Sequence, residues 1–270
     1  MTDQATDATI DWAEALPDIA GTHRLLIALD FDGTLAPLRD DPMTSRAIPE
    51  AVTAIERLVA LPETIVALVS GRTIEHLRII AEHRDESRVW LSGSHGVEIW
   101  RPAGQEAPHG DDALGDEEEL ALSERLRAEA KRIVEPVDGA WIEDKAVGFT
   151  VHTRLTARDR ADGVHTAIEE LIEREAPTWR ARTGIDMSEY TWRHEGKDAG
   201  IAKLRAETGA TAVLFAGDDV TDEDALAHLE PQDLGVRVGQ GTTHARVRVA
   251  DADEFAALLD RLADLRASAR

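Results

Sequence analysis

Two aspartates two residues apart, Asp30 and Asp32, stand where the apolar run Leu25-Leu26-Ile27-Ala28-Leu29 gives way to Gly33-Thr34-Leu35. Five apolar residues bounded by turn chemistry predict a strand buried on both faces of a parallel sheet, and ligands of such sheets bind outside the carboxyl ends of the strands. Gly33 lets the backbone bend, so both carboxylates can reach one phosphoryl group. One aspartate can attack phosphorus and form an acyl phosphate, while the other protonates the leaving oxygen and then activates water. Two acids at this spacing also arise by chance at a strand end in a chain with 53 Asp and Glu, so the pair alone does not assign the chemistry.

A second cluster repeats the plan: Val213-Leu214-Phe215-Ala216 runs into Gly217-Asp218-Asp219-Val220-Thr221-Asp222-Glu223-Asp224. Hard divalent cations such as magnesium take oxygen ligands and keep several waters, so one or two carboxylates and a substrate phosphate suffice. Asp218 is the expected direct ligand. Glu223 and Asp224 read equally well as the acidic first turn of a helix. Ile65-Val66-Ala67-Leu68-Val69 leads to Ser70-Gly71-Arg72, where the Ser70 hydroxyl either donates to a phosphate oxygen or simply caps the next helix. Of 30 Lys and Arg residues only four are lysine, which singles out Lys197, although a solvated helix position explains it too.

Taken in order, Asp30-Phe31-Asp32-Gly33-Thr34-Leu35, Ser70-Gly71-Arg72, Lys197 and Gly217-Asp218-Asp219 resemble the haloacid dehalogenase superfamily of phosphohydrolases. Ser92-Gly93-Ser94-His95-Gly96-Val97-Glu98 and Gly217-Asp218-Asp219-Val220-Thr221-Asp222-Glu223 look like the trehalose-6-phosphate phosphatase family within it. The resemblance implies Asp30 as nucleophile, Asp32 as general acid and base, and Ser70 and Lys197 as phosphoryl binders. It further implies Asp218 as a Mg2+ ligand beside Asp30 and the Asp32 carbonyl, with Asp219 and Asp222 holding the metal's waters. Gly71, Arg72, Ser94, His95 and Gly96 would line the substrate. Trp141-Ile142-Glu143-Asp144-Lys145 and Ser188-Glu189-Tyr190 look like the family's sugar-contacting pieces, making Glu143, Lys145 and Glu189 the sugar-binding candidates. Two departures stand out: Asp198 follows the motif lysine where the family usually has glycine, and Thr153 separates His152 from Arg154 where an aromatic is usual.

The absence of cysteine excludes disulfides and thiolate metal sites. No apolar run approaches the roughly 20 residues of a membrane span, and the first residues lack the charged-then-apolar plan of a signal peptide. A soluble, cytoplasmic protein is expected. A net charge of -23 argues against nucleic acid and also disfavours a sugar phosphate at long range. The site must therefore invert the local potential with a bound cation, Lys197 and Arg72.

Alternation of strands and helices predicts an α/β, doubly wound parallel-sheet core, and the resemblance implies that this core is of the Rossmann-like haloacid dehalogenase kind. Residues 1–23 are expected to form an N-terminal arm or short leading helix, and residues 24–101 and 196–270 the catalytic core. Residues 102–195 are expected to form an inserted α+β cap, entered through a polar hinge that runs to Gly115. Within it, a helix over 117–134, strands over 140–143 and 147–152, a helix over 158–175 and strands over 178–182 and 186–192 give helix, hairpin, helix, hairpin. In the core, helices are expected over 48–59, 73–83, 198–208 and 252–267, with strands at 65–70, 89–91, 213–216, 234–238 and 247–249.

The resemblance implies a small sugar phosphate as substrate, with trehalose 6-phosphate first and a trehalose-phosphate synthase as functional partner. Another sugar phosphate, such as glucosylglycerol phosphate or sucrose phosphate, a phosphomutase reaction, and a non-catalytic sugar-phosphate sensor are the alternatives.

Overall fold

The computed structural model describes residues 9–105, 117–193 and 195–269. Helix α1 (Trp12–Ala20) leads into β1 (Leu25–Leu29), whose five side chains are all buried. There follow α2 (Pro49–Ala60), β2 (Thr64–Val69), α3 (Ile74–Ile80), β3 (Trp90–Gly93) and the short β4 (Glu98–Trp100). An insertion comes next, holding α4 (Glu117–Val134), β5 (Trp141–Lys145), β6 (Gly148–His152), α5 (Arg158–Glu175), β7 (Arg180–Gly184) and β8 (Met187–Thr191). The chain then returns through α6 (Lys197–Thr208), β9 (Ala212–Gly217), α7 (Val220–Ala227), β10 (Leu234–Val238), β11 (Val247–Val249) and α8 (Ala252–Ser268).

The chain folds into two compact units, Met1–His109 with Glu195–Arg270, and Gly110–His194. The first unit is built on a seven-stranded sheet in the order β11-β10-β9-β1-β2-β3-β4, parallel throughout except for β4. Side chains alternate across it as strand geometry requires. Leu25, Ile27 and Leu29 join a core with α1, α2 and α8, whereas Leu26 and Ala28 join Ile201, Leu204, Ala225 and Leu226 of α6 and α7 on the other face. Both faces of β1 are thus covered, which is why its sequence is an uninterrupted apolar run.

Where the sequence predicts an arm or short helix over 1–23, α1 is a core element: Leu16 and Ile19 are buried in the same core as α8, and Asp11 caps the helix through the Ala13 N–H. Arg266 of α8 completes that corner. Its guanidinium is buried and donates to the carbonyls of Ala20 (3.0 Å), Thr22 (3.1 Å) and Glu63 (3.0 Å) and to Thr64 Oγ1 (2.9 Å). The sequence pattern does not anticipate the antiparallel β4, because three half-buried residues carry too little periodicity to register. Helix α3 is shorter than the expected span, closing at Ile80 just before Glu82 takes a positive φ of 50°.

The second unit has a four-stranded antiparallel sheet in the order β5-β6-β8-β7, with α4 and α5 present as expected. Phe149 is fully buried and packs against Tyr190 and Trp179, with ring centroids 5.7 and 6.3 Å away. The greater part of the expected hinge, from residue 106 onward, lies outside the described residues.

Candidate active site

Parallel pairing with β2 on one side and β9 on the other brings three strand ends together. Asp30 follows β1, Ser70 follows β2, and Asp218 follows β9. The Asp30 N–H donates to the Ala216 carbonyl (3.0 Å), so it continues the ladder by one residue before the chain turns. The turn is closed by the Gly33 N–H on Ala36 O (2.7 Å) and the Ala36 N–H on Phe31 O (3.0 Å). Buried Thr34 points its hydroxyl back at Asp30 Oδ2 (3.4 Å).

Lys197, the first residue of α6, is buried and donates from Nζ to Asp30 Oδ1 and to Asp222 Oδ1, both at 2.6 Å. Asp222 uses its other oxygen to accept the backbone N–H groups of Asp218 (3.1 Å) and Asp219 (3.0 Å). It therefore fixes the loop that carries Asp218, a role its place at a helix start does not disclose. Carboxylate oxygens of Asp30, Asp218 and Asp222 lie within 4.8 Å of one another.

Burial pushes the Asp30 carboxyl well above the usual carboxylate range; Lys197 opposes the rise, and Asp222 and Asp218 reinforce it. Asp218 is pushed up to about 6, by burial first and by the Asp222 charge second. Burial alone would lower the Lys197 ammonium, but Asp30 and Asp222 outweigh it and hold it above the ordinary lysine range. Three carboxylates share one ammonium, and hard oxygen donors in that excess suit a divalent cation.

Gly33 makes the approach of Asp218 possible. Its φ is +81°, and a Cβ built there would stand 1.9 Å from Asp218 Oδ2. Gly33→Ala is expected to displace that carboxylate and lower the affinity of the cluster for an added divalent cation about tenfold or more, roughly 1.4 kcal/mol, as measured by titration calorimetry.

The residues after β2 and β3 form a second wall of this unit. The Ser70 N–H donates to Ser92 O (2.9 Å), its hydroxyl accepts the Arg72 N–H (3.2 Å), and its carbonyl accepts the His95 N–H (3.1 Å). Ser70 is not the helix cap, since Thr73 caps α3 by accepting the His76 N–H (3.3 Å). Gly71 lies under the His95 ring, where a Cβ would meet Nε2 at 2.6 Å, and a Cβ on Gly96 would meet Gly200 N at 2.6 Å. Ser94 turns its hydroxyl to Glu98, and Arg72 pairs with Asp32. Asp219 caps α7 through the Val220 N–H (2.6 Å) and is exposed.

In the second unit, strand register sets Glu143, Thr150, Glu189 and Arg182 in one row across the sheet. Lys145 Nζ donates to Glu143 Oε1 (2.8 Å), His152 Nε2 meets Glu143 Oε2 (2.9 Å), and Trp141 stacks on the His152 ring at 4.6 Å. Burial would raise the Glu143 carboxyl, but its bonds to His152 and Lys145 prevail and bring it down to about 2. Glu189 is buried with Arg182 Nη1 3.7 Å away, and the buried Thr150 hydroxyl has no hydrogen-bond partner among the described residues. Sequence reasoning missed Thr150 and Arg182 as members of this polar face. The alternation of Gly148, Thr150 and His152 was the available signal for the first; Arg182 becomes a neighbour of Glu189 only through the pairing of β7 with β8.

A profile of the trehalose-phosphatase family matches residues 28–256, spanning all of these side chains. The chain belongs to the trehalose-phosphatase family. Among its relatives, a trehalose-phosphate phosphatase of Mycobacterium leprae is 30% identical over 237 residues, covering 82% of this chain and 51% of its own length. One of Mycolicibacterium paratuberculosis is 33% identical over 230 residues, covering 83% of this chain and 56% of its own length. The chain thus spans about half the length of the curated relatives it matches.

Among solved structures, a trehalose-6-phosphate phosphatase related protein superposes with a TM-score of 0.70 at 25% identity, covering 91% of this chain and 100% of that one. The C-terminal domain of the Candida albicans trehalose-6-phosphate phosphatase gives a TM-score of 0.75 at 20% identity over 97% of this chain and 99% of its own, and so shares the fold. The site residues of both units of this member of the trehalose-phosphatase family fall inside the family match, and none of its described helices is long and apolar enough to cross a membrane.

Proposed function

We propose that this chain is a magnesium-dependent phosphatase that hydrolyses trehalose 6-phosphate to trehalose and phosphate through an aspartyl phosphate on Asp30. The observation that carries the reading is the convergence of Asp30, Lys197, Asp222 and Asp218 at the ends of β1 and β9.

Asp30 attacks phosphorus as the bond from phosphorus to the sugar oxygen breaks. The electron pair of that bond goes to the sugar oxygen, which takes a proton from Asp32. Water then attacks the same phosphorus, passes a proton to Asp32, and returns Asp30 as a free carboxylate. Lys197 balances charge on Asp30 and on a phosphoryl oxygen, and Ser70 and the adjacent backbone orient that group. Asp218 and Asp30, with the Asp32 carbonyl, would hold magnesium, which supplies charge neutralisation for the phosphoryl oxygens. Asp222 supports Asp218 from behind, and Asp219 would contact the metal's waters from the helix cap.

The polar row of the inserted unit, with neighbouring Lys145, supplies acceptors, in Glu143 and Glu189, and donors, in Lys145 and Arg182, for a polyhydroxylated disaccharide. The reading places the reaction in the cytoplasm and after a trehalose-phosphate synthase.

Phosphate release from a panel of sugar phosphates tests the assignment. Trehalose 6-phosphate should be preferred by kcat/KM, and removal of metal with EDTA should abolish turnover until magnesium is restored. A tenfold or greater preference for another sugar phosphate, or an isomeric sugar phosphate as product, would overturn the substrate or the reaction type.

A further inference from the structure

The two carboxylates beyond β1 are served by two different cations. Lys197 commits its ammonium to Asp30 and Asp222, at 2.6 Å each. Arg72 takes Asp32, with Nε on Oδ2 at 2.6 Å and Nη2 on Oδ1 at 2.9 Å. Only 16% of the arginine side chain and 26% of the aspartate side chain are exposed, and a forked, half-buried pair of this kind is stronger than an open surface pair.

The arginine is also fixed at its base. Its N–H donates to Ser70 Oγ (3.2 Å), its carbonyl accepts the Ser94 N–H (2.7 Å), and a Cβ on Gly93 would meet that carbonyl at 2.9 Å. The two arms of the fork differ. Nη2 is shared with the Pro42 carbonyl (3.0 Å), whereas Nε serves Asp32 Oδ2 at the shorter distance. The shared arm is the one that can let go, because Pro42 keeps Nη2 partnered when it does.

Resting on the phosphatase reading, we propose that Arg72 is the positioning residue of the acid–base aspartate, holding Asp32 by Oδ2 and releasing Oδ1 toward the leaving group. Oδ1 then delivers its proton to the sugar oxygen as the phosphorus bond to that oxygen breaks and the bond to Asp30 forms. On this view Arg72 acts through Asp32 and does not grip the substrate.

The test compares kcat/KM for trehalose 6-phosphate and for p-nitrophenyl phosphate in wild type, Arg72→Ala and Arg72→Lys, all with magnesium. This ratio counts only steps up to departure of the leaving group. A sugar alkoxide needs a proton to leave, while p-nitrophenolate departs without one. Arg72→Ala is expected to lose about 100-fold on the sugar phosphate and less than about threefold on the aryl phosphate, the size of a displaced general acid. Arg72→Lys should fall between wild type and Arg72→Ala on the sugar phosphate alone, since a point charge cannot fork two oxygens. Equal losses on both substrates, or no loss in either variant, would overturn the proposal and leave the phosphatase reading standing. A melting temperature well below wild type in Arg72→Ala shifts the decision to Arg72→Lys, which keeps the charge. Wild type inactive on both substrates would overturn the phosphatase reading and this proposal with it.

Discussion

Asp30→Asn is expected to lower phosphate release by about four orders of magnitude or more, because an amide cannot attack phosphorus and, among the described residues, no other carboxylate at the tip of β1 has a lysine on it. The fold should survive the change. Asparagine is isosteric, and burial already penalises the charged form at this position, so the variant should melt at or above the wild-type temperature. Steady-state phosphate release and thermal unfolding of the same preparation check both halves. Rapid-quench experiments on wild type should trap a hydroxylamine-sensitive acyl phosphate that is absent from the variant. Activity equal to wild type would exclude Asp30 as the nucleophile, and binding of sugar phosphate without turnover in either protein would favour a sugar-phosphate sensor over an enzyme.

The second large effect concerns stability. Arg266→Met removes four hydrogen bonds donated by a buried guanidinium and leaves the carbonyls of Ala20, Thr22 and Glu63 without that partner. The bonds to Ala20 O and Thr64 Oγ1 are buried, where an acceptor left unpaired costs about 1–3 kcal/mol, and with the two part-buried bonds the total expected is about 3 kcal/mol. For a domain of this size that corresponds to a fall in Tm of roughly 6–12 °C. Arg57→Met provides the contrast on the neighbouring helix. Arg57 makes two ion pairs with Asp260 and Asp264 of α8, but these lie at the surface, where solvent screens such pairs and they contribute little. Urea unfolding of the two variants should separate them clearly; equal effects would show that the buried arginine is no more than another surface tie.

The central strands were legible because each is covered on both faces. Leu25–Leu29 and Ala212–Gly217 are buried along their whole length, so their apolar runs and the acids after them could be read without knowing what they pack against. Helices α4 and α5 announced themselves by length and periodicity. What the sequence did not disclose are relationships made by pairing and rotation. That Arg72 would turn to Asp32, that Asp222 would hold the loop under Asp218, and that Arg182 would stand opposite Glu189 all follow from three-dimensional register. Short elements were hidden for a different reason. The three residues of β4 carry too little hydrophobic period to stand out, whereas the start of α7 showed only through its acids, Glu223 and Asp224.

Strand β1, from the first part of the chain, lies between β2 and β9, and β9 is made only after the whole inserted unit. A ribosome therefore releases β1 with one of its two neighbours missing, and keeps it waiting for more than a hundred residues of further synthesis. The inserted unit, continuous in sequence, can close on its own during that interval. Until β9 emerges, the half-built sheet exposes an apolar edge at Leu25–Leu29 to every other nascent chain nearby. Chaperone demand and losses to aggregation during translation should accordingly be concentrated in the window before β9 is made.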